Sequence, residues 1–280
     1  MLKDTSPDPI ICGTVSLDDI KTPFGKRSGV LGGSAVYAAL SASIFSRPGV
    51  VAPIGADFPK KYLETLSSRG IDIEGLEVGG KTFRWSGTYE FDMNQAKTLK
   101  TELNCLEKFR PKLPKKYKKA QYVFLANCDP DVQRGFLTQF PKKPFVLTDS
   151  MNYWIKSKKS ELLKIIKMTD ILLVNEAETR QICDCPNLIK GGRQLLTYGP
   201  KYVIVKKGEH GALLLSRNSF FSAPAYPLEN AVDPTGAGDS FAGALIGYLA
   251  KTKKTDEGNL RKAVIFATSA ASFATEGMGT

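Results

Sequence analysis

The chain has 280 residues, 42% of them hydrophobic, and a formal net charge of +11. That is enough to bury one large core. No apolar run approaches the ~18 residues of a membrane span, and the polar start Met1–Pro9 lacks the apolar heart of a secretory leader, so a soluble cytoplasmic protein is expected. Five scattered cysteines and a single histidine speak against a disulfide framework. Cys183-Asp184-Cys185 reads as free thiols, because no second cluster accompanies it. The densest basic run, Lys108–Lys119, holds seven Lys or Arg and no acid. Pro111 and Pro114 interrupt it, so it reads as a solvated loop rather than a nucleic-acid reader. The positive field would help steer an anionic nucleotide.

In chain order, Ile10–Val15 reads as a first strand, with Asp18 and Asp19 following it. Phe24–Leu31 is a candidate strand. Gly32-Gly33-Ser34 then opens a helix over Ser34–Ser46 with Val36, Leu40 and Ile44 inward. A strand at Val50–Ile54 and a helix at Lys60–Arg69 come next. In Thr82–Asp92 the apolar residues Phe83, Trp85, Tyr89 and Phe91 are all odd-numbered and the even positions all polar, which is period two. Thr98–Asn104 is a partner for it. The buried-strand runs Tyr122–Ala126, Phe145–Thr148, Ile171–Val174 and Tyr202–Lys206 are separated by helical patterns at Val132–Phe140, Lys158–Met168 and Leu188–Tyr198. Ala212–Ser216 returns as a hairpin, and Leu260–Ala274 is a helix. The alternation predicts one α/β domain over residues 1–280. It would be a three-layer α/β/α sandwich with a mostly parallel central sheet. A small β-sheet would be inserted as a lid, its strands within about 16–31 and 81–104. The binding site is expected at the carboxyl ends of the strands.

The densest chemical signal is Asp233-Pro234-Thr235-Gly236-Ala237-Gly238-Asp239-Ser240-Phe241-Ala242-Gly243-Ala244-Leu245. A loop of small residues runs into a helix whose apolar face is Phe241, Ala244, Leu245 and Tyr248. Backbone N–H groups of Gly236, Ala237 and Gly238 would face one anion at the positive end of the helix. Asp239 places a carboxylate beside them. An acid near a helix start is commonly only a cap; the density of the string favours phosphoryl transfer to a hydroxyl. Asn175-Glu176-Ala177-Glu178 lies at a strand end, where a carboxylate can hold Mg²⁺ through water, although it also reads as an N-cap with first-turn acids. Lys206-Lys207-Gly208-Glu209-His210-Gly211-Ala212 is a hairpin turn in which Lys207 could neutralise phosphate charge. No Walker Gly-x4-Gly-Lys-Ser/Thr, Rossmann Gly-x-Gly-x-x-Gly after the first strand, or His-Arg-Asp loop is present.

The Asp233–Gly243 string resembles the C-terminal signature of the ribokinase-like (PfkB) carbohydrate kinase family. The resemblance implies an ATP-dependent kinase with Asp239 as general base and Gly236, Ala237 and Gly238 as its anion cradle. It implies that Asn175 and Glu178 form the family's Asn-x-x-Glu motif for Mg²⁺ and phosphate. Lys207, Gly208 and Gly211 would border the ATP, with Thr235 on the nucleotide side. Gly32 and Gly33 resemble the family's substrate glycines, next to Ser34. Asp18, with Asp19 as the fallback, would grip substrate hydroxyls. Tyr37 stands where many members carry Asn. Arg84, on the polar face of the alternating segment, could meet a phosphate or hydroxyl, or only solvent. Asp233 and Thr235 match positions that often serve a K⁺ site, and turn formation is the equal alternative. The inserted sheet would act as a lid and, as in relatives, as a homodimer interface. Members usually continue for another helix beyond Glu276–Thr280. The acceptor is expected to be a sugar or sugar-like alcohol. The alternatives are a nucleoside of adenosine type, with Tyr37, Phe83 or Trp85 either stacking on the base or equally serving as packing, and a non-catalytic binding regulator of the same fold.

Overall fold

The computed structural model describes residues 6–94 and 96–279. Met1–Thr5, Gln95 and Thr280 lie outside the described residues, and with them part of the polar start Met1–Pro9, one residue of the expected lid span and the last residue. The strands are β1 (Ile10–Cys12), β2 (Ser16–Thr22), β3 (Gly25–Gly32), β4 (Gly49–Ile54), β5 (Asp72–Val78), β6 (Phe83–Tyr89), β7 (Ala96–Glu102), β8 (Tyr122–Leu125), β9 (Phe145–Thr148), β10 (Ile171–Asn175), β11 (Tyr202–Lys206), β12 (Ala212–Leu215) and β13 (Phe220–Ala223). The helices are α1 (Ser34–Ala42), α2 (Lys60–Ser68), α3 (Pro130–Leu137), α4 (Asn152–Ser157), α5 (Lys159–Ile166), α6 (Glu176–Cys183), α7 (Leu188–Thr197), α8 (Ala237–Thr252) and α9 (Glu257–Phe273).

The large sheet runs β13-β12-β11-β10-β9-β8-β1-β4-β5. Its pairs from β5 to β11 are parallel, and β12 and β13 add antiparallel. Alternate residues of each central strand feed two cores. Leu173 and Ile204 face α1, α8 and α9, whereas Leu172, Val174, Val203 and Val205 face α3, α5, α6 and α7. A sheet buried on both faces needs continuous apolar runs, which is what these strands carry. The chain leaves β1 for β4 and β5 on one side and returns to β8 on the other. The crevice of this open sheet therefore opens at the carboxyl ends of β1 and β8.

The small sheet has the order β3-β2-β6-β7. Three of its strands match the expected segments. β2 was not read as a separate strand, because SLDDIKT offers no apolar run; the expected first strand ends at Cys12 and β2 resumes at Ser16. Asp18 thus lies within a strand rather than after one. In β6 both faces are half-covered rather than one wet and one dry, and Phe91, 97% exposed, falls beyond its end. Ile44, expected inward, is 67% exposed. Helix α1 stops at Ala42, where Ser43 Oγ donates to Leu40 O and Ser46 Oγ to Ala42 O, closing the last turn.

Small residues bring α1 and α8 together. A side-chain carbon at Gly243 would lie 2.0 Å from Ala38 O, and one at Gly247 would lie 2.8 Å from the Ala42 Cα. Only glycine permits backbones to approach this closely. The crossing sets the N-terminal turns of both helices side by side at the crevice. No helix among the described residues is long and apolar enough to cross a membrane.

Candidate active site

Helix α8 opens on Gly236, whose φ of 78° is left-handed and suits glycine. A side-chain carbon there would lie 2.3 Å from the Tyr37 ring, so the tyrosine of α1 is pressed on the anion loop. Of the three expected cradle groups, Ala237 N–H already donates to Pro234 O at 3.2 Å. That leaves Gly236 and Gly238 as the candidates for the cradle. Asp239 stands in the first turn, partly exposed at the crevice.

Three adjacent strand ends lie beneath it. Asp149 follows β9, Glu178 enters from α6 after β10, and Lys206 ends β11. Asn175 and Glu178 form a reciprocal cap: Asn175 Oδ1 accepts from Glu178 N–H at 2.8 Å and Glu178 Oε2 from Asn175 N–H at 2.7 Å. Lys206 Nζ donates to the buried Asp149 Oδ2 at 2.6 Å. The same ammonium would lie 3.1 Å from a side-chain carbon at Gly238, which places it against the α8 N-terminus. The cation inside the site is therefore Lys206, while Lys207 is half-exposed in the following turn, its N–H on Gly211 O at 2.8 Å. Asp149 and Lys206 were missed in the sequence, although both obey the strand-end rule that drew attention to Asn175. Gly208 lies in this turn, and a side-chain carbon there would lie 2.8 Å from Asn94 Oδ1 of the β6–β7 loop. The small sheet thus reaches the β11–β12 turn.

On the other side of the loop, Asp18 is 3% exposed. Its carboxylate fills the space over Gly32, where a side-chain carbon would lie 2.0 Å from Oδ2. Tyr89, from β6, accepts from Thr235 Oγ1 at 3.3 Å; its signal was an odd position in the alternating segment. Asp233 is a turn former: Oδ1 accepts from Thr235 N–H at 2.9 Å and Oδ2 from Gly279 N–H at 3.2 Å. Two expected contacts point elsewhere. Arg84 pairs in register with Leu17, one residue off Asp18, so it occupies the opposite face and reaches Asp57 at 3.6 Å. Ser34 is spent internally: Thr14 Oγ1 accepts from its N–H at 3.0 Å, and its Oγ donates to Asn127 O at 3.2 Å. The N-cap of α1 is Gly33, at φ 101°.

The electrostatics follow from crowding acids in a half-dry crevice. Burial pushes Asp239 up to about 7, the neighbouring Asp149 and Asp18 add to this, and Lys206 opposes it. Burial raises Glu178 to about 7, with Asp149 adding and Lys206 again opposing. Asp18 is raised to about 7 by burial, with the Ser16 hydroxyl's hydrogen bond opposing and Asp19 and Asp233 adding. Mutually repelling carboxylates fit a divalent cation bound nearby. No group of three or more His, Cys, Asp or Glu among the described residues could hold a metal ion.

Known proteins resemble this chain in sequence and in fold. The model of the pfkB family carbohydrate kinases matches residues 24–280. A cytidine kinase of Thermococcus kodakarensis is 31% identical over 258 residues, covering 89% of this chain and 91% of its own. A nucleoside kinase of Methanothermobacter thermautotrophicus is 31% identical, covering 92% and 82%. Among solved structures, an E. coli chain described as ribokinase II, in complex with ATP and Mg²⁺, superposes with a TM-score of 0.79 at 20% identity, covering 98% of this chain and 94% of that one.

Proposed function

The chain belongs to the pfkB family of carbohydrate kinases, and we propose that it transfers the γ-phosphoryl group of ATP to a sugar hydroxyl, with Asp239 as the base. The observation that carries this reading is Asp239 in the first turn of α8, beside the Gly236–Gly238 cradle and above Glu178 and Lys206. Asp239 takes the proton of the acceptor hydroxyl as its oxygen attacks the γ-phosphorus. The bond from phosphorus to the bridging oxygen breaks and ADP leaves. The helix N-terminus and Lys206 stabilise charge on the transferring group. Glu178 would hold Mg²⁺ through water, and the ion supplies charge neutralisation between the phosphates. Lys207, Gly208 and Gly211 border the nucleotide.

Two relatives that act on nucleosides by name, at 31% identity over most of the chain, favour a nucleoside as the carrier of that hydroxyl. The small sheet acts as the lid, joined to the site through Tyr89 and Thr235. Its exposed apolar residues Phe24 and Leu99 support a homodimer contact. A K⁺ dependence through Asp233 and Thr235 is part of the same reading and is checked by assays with and without KCl. The deciding experiment compares wild type with Asp239→Asn over pentoses, hexoses and nucleosides with Mg-ATP. The variant should bind ATP normally and lose about a hundred- to ten-thousand-fold in kcat. Near wild-type turnover by the folded variant would remove Asp239 from the chemistry. Ligand binding without transfer to any acceptor would favour the non-catalytic regulator.

A further inference from the structure

Two buried polar atoms on the acceptor side of the crevice are without partners: Tyr37 Oη and Asp18 Oδ1. Their residues are 6% and 3% exposed. Buried polar groups are normally paired, and each exception calls for a reason. Ser16 Oγ stands beside the Asp18 carboxylate, both against Gly32. Tyr37 is held by its ring on Gly236. A phenylalanine would pack there equally well, so packing does not account for the hydroxyl. The hydroxyl feels Asp18 most strongly among charged neighbours, ahead of Asp233 and Asp239, yet bonds none of them. It keeps its proton and has nowhere to donate it.

We propose that Tyr37 is a specificity-determining residue whose hydroxyl donates to a second hydroxyl of the acceptor, one that is not phosphorylated and that donates in turn to Asp18. Such a hydroxyl satisfies a donor and an acceptor at once, and an acceptor with hydrogen in its place leaves both stranded. A site built to bond a hydroxyl rejects the analogue lacking it far more strongly than an apolar pocket rejects a size change. The acceptor class is therefore a sugar or nucleoside with a free hydroxyl beyond the reacting one, and its deoxy counterpart is disfavoured. This rests on the kinase reading, in which Asp239 engages the reacting hydroxyl and leaves Tyr37 to the second.

The test uses the full chain, wild type and Tyr37→Phe, with Mg-ATP and the probes cytidine, 2′-deoxycytidine, 3′-deoxycytidine, D-ribose and 2-deoxy-D-ribose. Wild type should prefer the hydroxyl-bearing member of at least one pair by about a hundredfold or more in kcat/KM. Tyr37→Phe should narrow that ratio at least about tenfold, and the unliganded variant should melt no lower than wild type, because it sheds an unpaired polar atom. An unchanged ratio at both positions overturns the proposal, as does a wild type that does not discriminate. A lower melting point with an unchanged ratio assigns the hydroxyl a packing role, which also overturns it. Calorimetric binding of the same pairs keeps the two readings separate. A wild type that binds but phosphorylates nothing sinks the kinase reading, while the binding ratios still decide Tyr37.

Discussion

A carboxylate that takes a proton from an alcohol works best when it titrates near the working pH. Burial beside Asp149 brings Asp239 to about 7 and Lys206 holds it from rising further. The base must be ionised, so kcat/KM should climb with pH through a midpoint near 7 and level off above it. Lys206→Met removes the opposing charge and should move that limb to higher pH, by about one unit, whereas Lys206→Arg should keep it in place. Profiles that coincide for wild type and Lys206→Met would show that Lys206 does not act on Asp239. Breaking the buried pair with Asp149 also costs stability, so the profiles are compared on folded protein. Asp239 was legible because it sits in a dense string of small residues. Asp149 and Lys206 were not, since Asp149 stands alone in the sequence, Lys207 draws attention from Lys206, and their partnership exists only once β9, β10 and β11 lie side by side. Tyr37 was legible as a departure from the family pattern, but its unpaired hydroxyl is a property of the packed site.

Between elements, the critical join is the α1–α8 crossing. It holds Tyr37 and Asp239, the proposed acceptor residue and base, on one side of the crevice through contacts that begin one residue after Tyr37 and one helical turn after Asp239. Gly243→Ala drives a carbon to within 2.0 Å of Ala38 O, a backbone atom that cannot swing away. The helices must part, at a cost of about 1–3 kcal/mol or more, and kcat/KM should fall with the thermal midpoint although no ligand contact is touched. Gly135→Ala is the contrast, because in α3 a side-chain carbon meets nothing within 4 Å. It should leave kcat/KM unchanged and stabilise by up to about 1 kcal/mol. Equal effects of the two on thermal melts and turnover would discount the crossing. Most helices and buried strands were readable from periodicity because the large sheet is covered on both faces. The short helix α4, the edge strand β13, β2 and β5 were not: SLDDIKT and DIEGLEV mix charge into strands at sheet positions that only tertiary pairing defines.

At the scale of the whole molecule, a chain of net charge +11 gathers Asp18, Asp149, Glu178 and Asp239 in one crevice, and this bears on how stability depends on pH. Asp18, Glu178 and Asp239 each titrate near 7 when folded and near 4 when unfolded. Between those values the folded state binds more protons than the unfolded state, so unfolding free energy falls as pH rises. Their contribution is present in acid, declines from about pH 4 to 7, and is flat above. Carboxylates held below their ordinary range, such as Asp72 beside Lys116 and Asp131 beside Lys158, act oppositely, and their contribution is lost on acidification through their lowered folded values. The unliganded protein should thus be most stable on the acid side of neutrality and lose stability between pH 5 and 7.5. Asp18→Asn removes one titrating group. Urea midpoints should show it gaining on wild type by about 2–3 kcal/mol from pH 5 to pH 7.5. The same substitution deletes the acceptor-side carboxylate, so the acceptor KM should rise while the fold gains, a trade expected wherever a site is kept strained for binding. A stability difference that is the same at both pH values would mean that Asp18 is already ionised in the folded protein at pH 5, and that the crevice exacts no such cost.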